Sequence, residues 1–401
     1  MIVKEVKVEN VVTAPSREEL VRGASELVPY FRERAAWAEE HRTLPREAVE
    51  KMTGAGLLKM RVPHRYGGYE CDMRTTVEVI AELARGDGSV GWTVSVWSIC
   101  NWLAGLFSDE AQEEVFASGD TRVCGLLSPT GTAVDADGGF VVNGSWSFNT
   151  GAAQSQWNSL VAMAPTPDGG QQPIMALAPV SDLRIVDDWH TSGLRGTGSV
   201  TTVAEDLYVP KERVLPMGPA LQEQYASRLN ADRPTYRAPL LLTACVTAMG
   251  SALGLAMAAK DVFFERLPHR GITYTTYASQ SEAPLTHLQV ADAQMRIDEA
   301  WFHARRAADL LDTKNEAGEQ WTLEERARVR MHAGFACRRA KEAVDILQTA
   351  SGASSIYETV PMQRISRDIG TINLHAILHP NTNLELYGRV LCGLEPNTFY
   401  L

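Results

Sequence analysis

The chain has 401 residues, 45% of them hydrophobic and 22% charged, enough apolar material for large buried cores and two or three domains. Its 38 Lys and Arg against 49 Asp and Glu give a net charge of -11 with no block of like charge, which excludes the concentrated basic face that nucleic-acid binding needs. Six scattered cysteines (Cys71, Cys100, Cys124, Cys245, Cys337, Cys392) form no CxxC pair, so neither a zinc site nor a disulfide framework is encoded, and a reducing cytoplasm is expected.

The first twelve residues alternate apolar and charged side chains and lack the apolar core of a secretory signal. Glu18–His41 reads as a long amphipathic helix; Pro45 suits the first turn of a second helix, which Gly54 and Gly56 end. Gly-rich breaks at Tyr66–Gly68 and Arg85–Gly88 punctuate further helices, with Ser89 placed to cap an apolar helix carrying Trp92, Trp97 and Trp102. From Thr121 to about Val214 the character changes. Short β-rich runs at Val123–Leu127, Phe140–Phe148, Ser159–Ala164, Ile174–Ala178 and Thr201–Leu207, separated by Gly, Asp and Asn turns, predict a sheet domain. Helical periodicity returns from Tyr236, with a polar linker expected at Thr313–Gln320 and a break at Ser351–Ser355. Leu240–Ala259 is long enough to span a membrane without a charge, but its Ala, Gly, Thr, Ser and Cys content fits a buried bundle helix, so no membrane association is expected.

No GxxxxGK[ST] motif is present, and Gly193-Leu-Arg-Gly196-Thr-Gly198-Ser199 has the wrong spacing for a dinucleotide fingerprint, so no nicotinamide site is visible. These glycines read either as tight turns of the sheet domain or as a loop whose backbone N–H groups and two hydroxyls suit a phosphate. His375 and His379, four apart, are expected on one helix face, as packed histidines or as a catalytic pair; no third metal ligand accompanies them.

Six elements in order carry a family resemblance: Val62-Pro-His-Arg-Tyr-Gly-Gly68; Gly88-Ser-Val-Gly-Trp92; Gly139–Gly151 (GFVVNGSWSFNTG); Trp189–Ser199 followed by Val209-Pro210; Arg270; and Arg367-Asp368 ahead of His375. From about Arg17 to Gly393 the chain resembles the acyl-CoA dehydrogenase fold and, within it, the oxygenase components of two-component flavin-dependent monooxygenases, the p-hydroxyphenylacetate hydroxylase-like group. The resemblance implies an α+β, mainly α architecture: an N-terminal helical domain (1–120), a central β-barrel or sheet domain (121–230) and a C-terminal four-helix bundle (231–401). It implies reduced FAD or FMN and O2 as reactants, with a C4a-hydroperoxyflavin hydroxylating a small aromatic or heteroaromatic molecule of secondary metabolism. An NAD(P)H-dependent flavin reductase as partner and a homotetrameric assembly are implied as well. N- or S-oxygenation by the same chemistry, or an acyl-CoA dehydrogenase, are the alternatives. Against the last, the stretch Thr371–Ala376 holds His375 where many dehydrogenases carry a glutamate base.

Residue by residue, the resemblance assigns His375 to the reactive edge of the flavin, and Asn149, Thr150 and Gly151 to contacts near N5, with the Thr150 hydroxyl taking part in catalysis. Trp146 and Trp189 would flank the isoalloxazine. Arg195, Thr197, Gly198 and Ser199 would meet its ribityl chain or phosphate, and Arg270 a phosphate of a flavin held by the neighbouring subunit. Where several hydroxylases have a histidine in a V-H-x-W context, this chain reads Ile99-Cys100-Asn101-Trp102. A phenol-activating histidine is thus missing there. Cys100 and Asn101 are expected to line the substrate pocket with Trp92 and Leu240, a buried structural cysteine being the other reading of Cys100. The uncharged helix from Leu240 and the loop Asn230–Pro239 are expected to shape an apolar pocket suited to an aromatic or polyketide-like substrate.

Overall fold

The computed structural model describes residues 14–401; the alternating N-terminal segment lies outside them. Helix α1 (Arg17–His41) starts on a capping box in which the Ser16 hydroxyl and the Glu19 carboxylate satisfy each other's backbone N–H. Four more helices follow: α2 (Arg46–Gly54), α3 (Met73–Gly86), α4 (Gly88–Ala104) and α5 (Asp109–Val115). The cap of α4 is Asp87 and not Ser89: its carboxylate accepts the Ser89 N–H at 2.8 Å, because a capping side chain must sit just before the first helical residue.

Eight strands come next: β1 (Val123–Gly125), β2 (Gly131–Ala136), β3 (Gly139–Asn149), β4 (Trp157–Pro165), β5 (Gln171–Pro179), β6 (Arg184–Val186), β7 (Val200–Pro210) and β8 (Val214–Pro216). They form one sheet in the order β6-β7-β3-β2-β4-β5-β8. β1 pairs in parallel with β4 at Trp157–Ser159, and β2 pairs in parallel with the same strand at Ala162 and Met163. The segment between them, Leu126–Thr130, belongs to no ladder. The sequence pattern misses β2, β6 and β8, the last two being only three residues long. Strands that short are held by their neighbours and carry too little alternation of their own to register.

The chain then returns to helix: α6 (Met217–Ala220), α7 (Leu240–Arg266), α8 (Pro284–Ala317), α9 (Leu323–Ala350), α10 (Pro361–Ile372) and α11 (Pro380–Leu391). The apolar stretch of α7 is a core helix, 94% of it buried. Its small residues let α3 approach closely: a Cβ at Gly254 would collide with the Ala81 carbonyl, and one at Gly250 would lie 2.9 Å from the Val77 carbonyl. The expected polar linker at Thr313–Gln320 is shorter than the composition suggests. α8 continues to Ala317 because Lys314, although charged, is buried against α9, its ammonium 2.6 Å from the Glu325 carboxylate. His375 and His379 do not share a helix face. α10 ends at Ile372 and both lie in the turn before α11, where the His379 N–H donates to the His375 carbonyl at 2.8 Å.

Candidate active site

The loop Trp189–Ser199 is where the three layers meet. The Leu194 N–H donates to the Asp368 carboxylate on α10 at 2.6 Å. A Cβ at Gly193 would collide with the Arg367 carbonyl, and one at Gly196 would come within 3.0 Å of both Ala38 on α1 and Ser89 on α4. Gly198 has φ 52°, a left-handed backbone that suits glycine, and sits over the Arg42 carbonyl. The glycines of this element, the Gly88–Trp92 segment and the Arg367-Asp368 pair are thus three sides of one close-packed junction. Burial raises the carboxyl groups inside it: Asp368 to about 7, with the charge of nearby Asp87 adding to the effect, and Asp87 to about 6.

That packing gives the expected site residues internal partners. Thr197 and Ser199 are buried, and their hydroxyls are used internally: Thr197 Oγ1 donates to the Leu194 carbonyl at 2.8 Å, and Ser199 Oγ bridges Thr197 and Thr150 at 2.7 Å each. These hydroxyls, Thr150 among them, tie the junction to the end of β3; the Gly151 N–H, donating to the Thr197 carbonyl at 3.0 Å, completes the tie. Asn149 is likewise buried, its amide donating to Thr202 Oγ1 at 2.8 Å. Trp146 cannot flank a ligand. Strand alternation turns it into the sheet core, where its indole N–H donates to the Val161 carbonyl at 2.9 Å. Trp189 is nearly buried, its indole N–H on the Leu194 carbonyl. The aromatic that stands open beside it is Phe148, 70% exposed, at φ 67° and edge-on to Trp189. Sequence reasoning missed Phe148, since nothing in a strand pattern signals a left-handed phenylalanine. Arg195 is half-buried with Nε unpartnered.

The expected substrate-pocket residues separate. Asn101 is a clamp: its amide donates to the Thr121 carbonyl at 3.2 Å and its oxygen accepts the Val123 N–H at 3.0 Å, fixing β1 to α4. Cys100 and Leu240 are packed in the apolar cluster with Trp102 and Leu241, and burial pushes the Cys100 thiol pKa far up. The loop Asn230–Pro239 borders a cavity of about 820 Å3 lined also by Tyr225, Lys314 and Trp321, which includes neither His375 nor Trp92.

Trp92 does stand beside His375, ring centroids 5.1 Å apart and edge-on. The His375 side chain is accessible to solvent, yet protein surrounds it at greater distance, the situation of a group lining a cleft. That surrounding protein lowers its pKa to about 4, so the imidazole is neutral in ordinary buffers. Half-buried Val96, Ile99 and Ile377, the last lying two residues past His375, each pack against both large apolar clusters. On the sheet side runs Leu126–Thr130, whose backbone groups lie outside the ladders. An apolar floor, a neutral imidazole and a loop whose peptide groups lie outside the ladders suit a planar ring with an amide-like edge, so the residues present fit a flavin.

A second cluster lies at the other end of α7. Arg266 and Arg270 both donate to Ser354 Oγ, each keeps one buried guanidinium nitrogen unpartnered, and no carboxylate pairs with either among the described residues. Cys245 contacts the Ile377 carbonyl near the His375 turn, and at 1.5 Å per helical residue Arg266 lies about 30 Å beyond it.

The helical layer, the sheet with its glycine junction and the bundle are the acyl-CoA dehydrogenase architecture. Residues 18–119 match the family model described as acyl-CoA dehydrogenase, N-terminal domain, and residues 246–380 that described as acyl-CoA dehydrogenase, C-terminal domain. The chain is 31% identical over 373 residues to the flavin-dependent monooxygenase, oxygenase subunit HsaA, of Rhodococcus jostii, covering 92% of this chain and 97% of that one. It is 30% identical over 391 residues to the FADH(2)-dependent resorcinol hydroxylase, oxygenase component, of Rhizobium sp., covering 95% of each. The structure of XiaF from Streptomyces sp. in complex with FADH2 and glycerol superposes with a TM-score of 0.90 at 33% identity, over 96% of this chain and 98% of that one. The chain belongs to the family of flavin-dependent monooxygenase oxygenase components.

Proposed function

We propose that the chain takes reduced flavin from a separate NAD(P)H-dependent reductase and, with O2, hydroxylates a small aromatic or heteroaromatic molecule in the cleft between α4, the His375 turn and Leu126–Thr130. The observation that carries this reading is His375: a neutral imidazole stands in the cleft, and no carboxylate is present in Thr371–Ala376 to remove an α-proton as a dehydrogenase would. The relatives named above support FADH2 as the flavin.

When bound, reduced flavin supplies the activation of O2. The protein's own groups do the rest. Neutral His375 accepts the proton of a substrate hydroxyl or amine through its free nitrogen, or donates its N–H to an oxygen at the same place. Trp92 and the apolar side chains around it orient the ring and keep water out. Arg266 and Arg270, too far from His375 to serve the same site, hold a phosphate of flavin bound by a neighbouring protomer. Such sharing fits a homotetramer, and along α8 Leu285, Leu288, Met295 and Phe302 are each more than half exposed, the last three spaced two helical turns apart along one side, as a face awaiting another copy would be. Five of six cysteines are buried and all are free, in keeping with a cytoplasmic setting.

The test is product formation. With NADH and FAD alone the chain should convert nothing; adding a flavin reductase should yield hydroxylated product from members of an aromatic panel. Robust NADH oxidation by the chain alone, or a desaturated acyl thioester as product, would overturn the reading.

A further inference from the structure

We propose that Tyr400 is a wall of the reaction cleft, and that Arg330 and Asn383 are positioning residues that tie the segment Pro396–Leu401 to the turn carrying His375. The proposal rests on the cleft assigned above.

Arg330 on α9 is buried and forms no ion pair among the described residues. Its guanidinium donates from Nε to Asn383 Oδ1 at 3.0 Å and from Nη1 to the Tyr400 carbonyl at 2.6 Å. Burying a cation against two neutral acceptors is costly in desolvation, so the arrangement points to a task of ordering two segments. The planar fork of arginine fixes two acceptors at a set angle, which a lysine ammonium cannot do. Asn383, fully buried on α11, passes the tie onward: its Nδ2 donates to the Ile377 carbonyl at 3.0 Å. Ile377 lies two residues past His375, and the Leu378 N–H closes the turn onto the His375 carbonyl at 2.9 Å. One turn along α9 from Arg330, a Cβ at Gly334 would lie 2.8 Å from Asn383 Nδ2, so that position is kept clear for the amide.

At the other end of this chain of bonds, the Tyr400 ring packs against the apolar cluster of Trp102 and Leu241, against which Ile99, Ile377 and Leu127 pack as well, and its hydroxyl points at the Leu127 carbonyl, 3.5 Å away. Tyr400 thus reaches from the bundle to the sheet-side loop of the cleft. A second tether, from Arg326 Nη1 to the Leu401 carbonyl at 3.3 Å, steadies the same segment.

The wall and the tie separate experimentally, because Arg330 holds the backbone of residue 400 and not its side chain. In Tyr400→Ala, modification of His375 by diethyl pyrocarbonate, followed by peptide mapping, should quicken severalfold, while Tyr400→Phe stays close to the parent. An unchanged rate in Tyr400→Ala overturns the wall. In Arg330→Lys and in Asn383→Ala, hydrogen exchange of residues 373–379 should rise by about tenfold or more, with the sheet unaffected. Exchange unchanged in both overturns the tie. Both measurements use protein without flavin, so they stand or fall apart from the proposed hydroxylation. With substrate and reductase present, a tie that positions His375 also predicts more hydrogen peroxide per product in Arg330→Lys. Failure of the parent protein to hydroxylate anything would count against the function and leave the exchange result to decide the tie.

Discussion

His375 makes no side-chain hydrogen bond among the described residues and is open on one side, so its removal should act on chemistry before folding. His375→Ala should lower product formation by about 10²-fold. Hydrogen peroxide should rise in parallel, with thermal stability and flavin affinity close to the parent, and His379→Ala, one turn away, serves as control. Equal product-to-peroxide ratios in His375→Ala and the parent would remove the imidazole from the reaction. With its pKa near 4, His375 stays neutral from pH 8 down to about 5, and the pH profile of coupling should show no ionisation of this group near 6.5. Arg270 belongs to the same scale. Loss of a charge-assisted bond to a phosphate corresponds to roughly 10- to 100-fold in affinity, so Arg270→Met should raise the Kd for FAD by about that factor in calorimetry and leave that for riboflavin, which has no phosphate, unchanged.

Among the elements, α7 shows most clearly how composition becomes packing. Its glycines look like weak helix residues, yet Gly250 and Gly254 set the distance to α3, and Ala84 of α3 sits between Gly254 and Gly91 of α4. Gly254→Val should destabilise by about 1–3 kcal/mol or more, since the new side chain meets backbone that cannot step aside. Gly23, inside α1 with nothing within 4 Å of a would-be Cβ, behaves oppositely: Gly23→Ala should stabilise by about 0.5–1 kcal/mol. Chemical denaturation of the two variants checks both signs. A Gly254→Val protein as stable as the parent would mean that the helices are not in this contact.

Across the whole molecule, two sets of titratable groups pull stability in opposite directions with pH. His332, through burial and then neighbouring His303, and His375, through the protein surrounding its cleft, fall to about 4 in the fold. Below pH 6.5 the unfolded chain takes up protons that the fold refuses, and stability is lost as pH falls towards 4. Asp368 at about 7, and Asp87 and Asp312 at about 6, are raised by burial, so the fold holds their protons more tightly than the unfolded chain does. Their contribution is present below pH 3.8 and lost as pH rises through 6 to 7. Asp368→Asn keeps an oxygen for the Leu194 N–H but has no proton to lose, so its melting temperature should exceed the parent's at pH 8 and the gain should shrink at pH 5, vanishing only below 3.8. A gain equal at both values would show that Asp368 is ionised throughout. The proposed assembly belongs to this scale as well: Leu288→Glu with Phe302→Glu should reduce the mass seen by light scattering at micromolar concentration, and an unchanged mass, or a monomeric parent, would count against this face as the proposed interface.

Periodicity and turn residues alone determined the succession of helices, sheet and helices, and the small-residue composition marked α7 as a core helix, because these signals are local and repeat along the chain. The six ordered elements and the placing of His375 in a stretch without a carboxylate were also legible, since they are written in residue type and spacing. What only the tertiary structure decided is what each element touches. The glycines of Trp189–Ser199 are small because α1, α4 and α10 close on them, and the hydroxyls of Thr150, Thr197 and Ser199 face one another for the same reason. Trp146 turns inward while Phe148, two residues on, turns out, because a left-handed residue breaks the strand's alternation. Desolvation by the surrounding protein decided the charge states: it holds His375 neutral in its cleft and keeps buried Asp368 close to half protonated at neutral pH, since both depend on how much protein the rest of the chain packs around them.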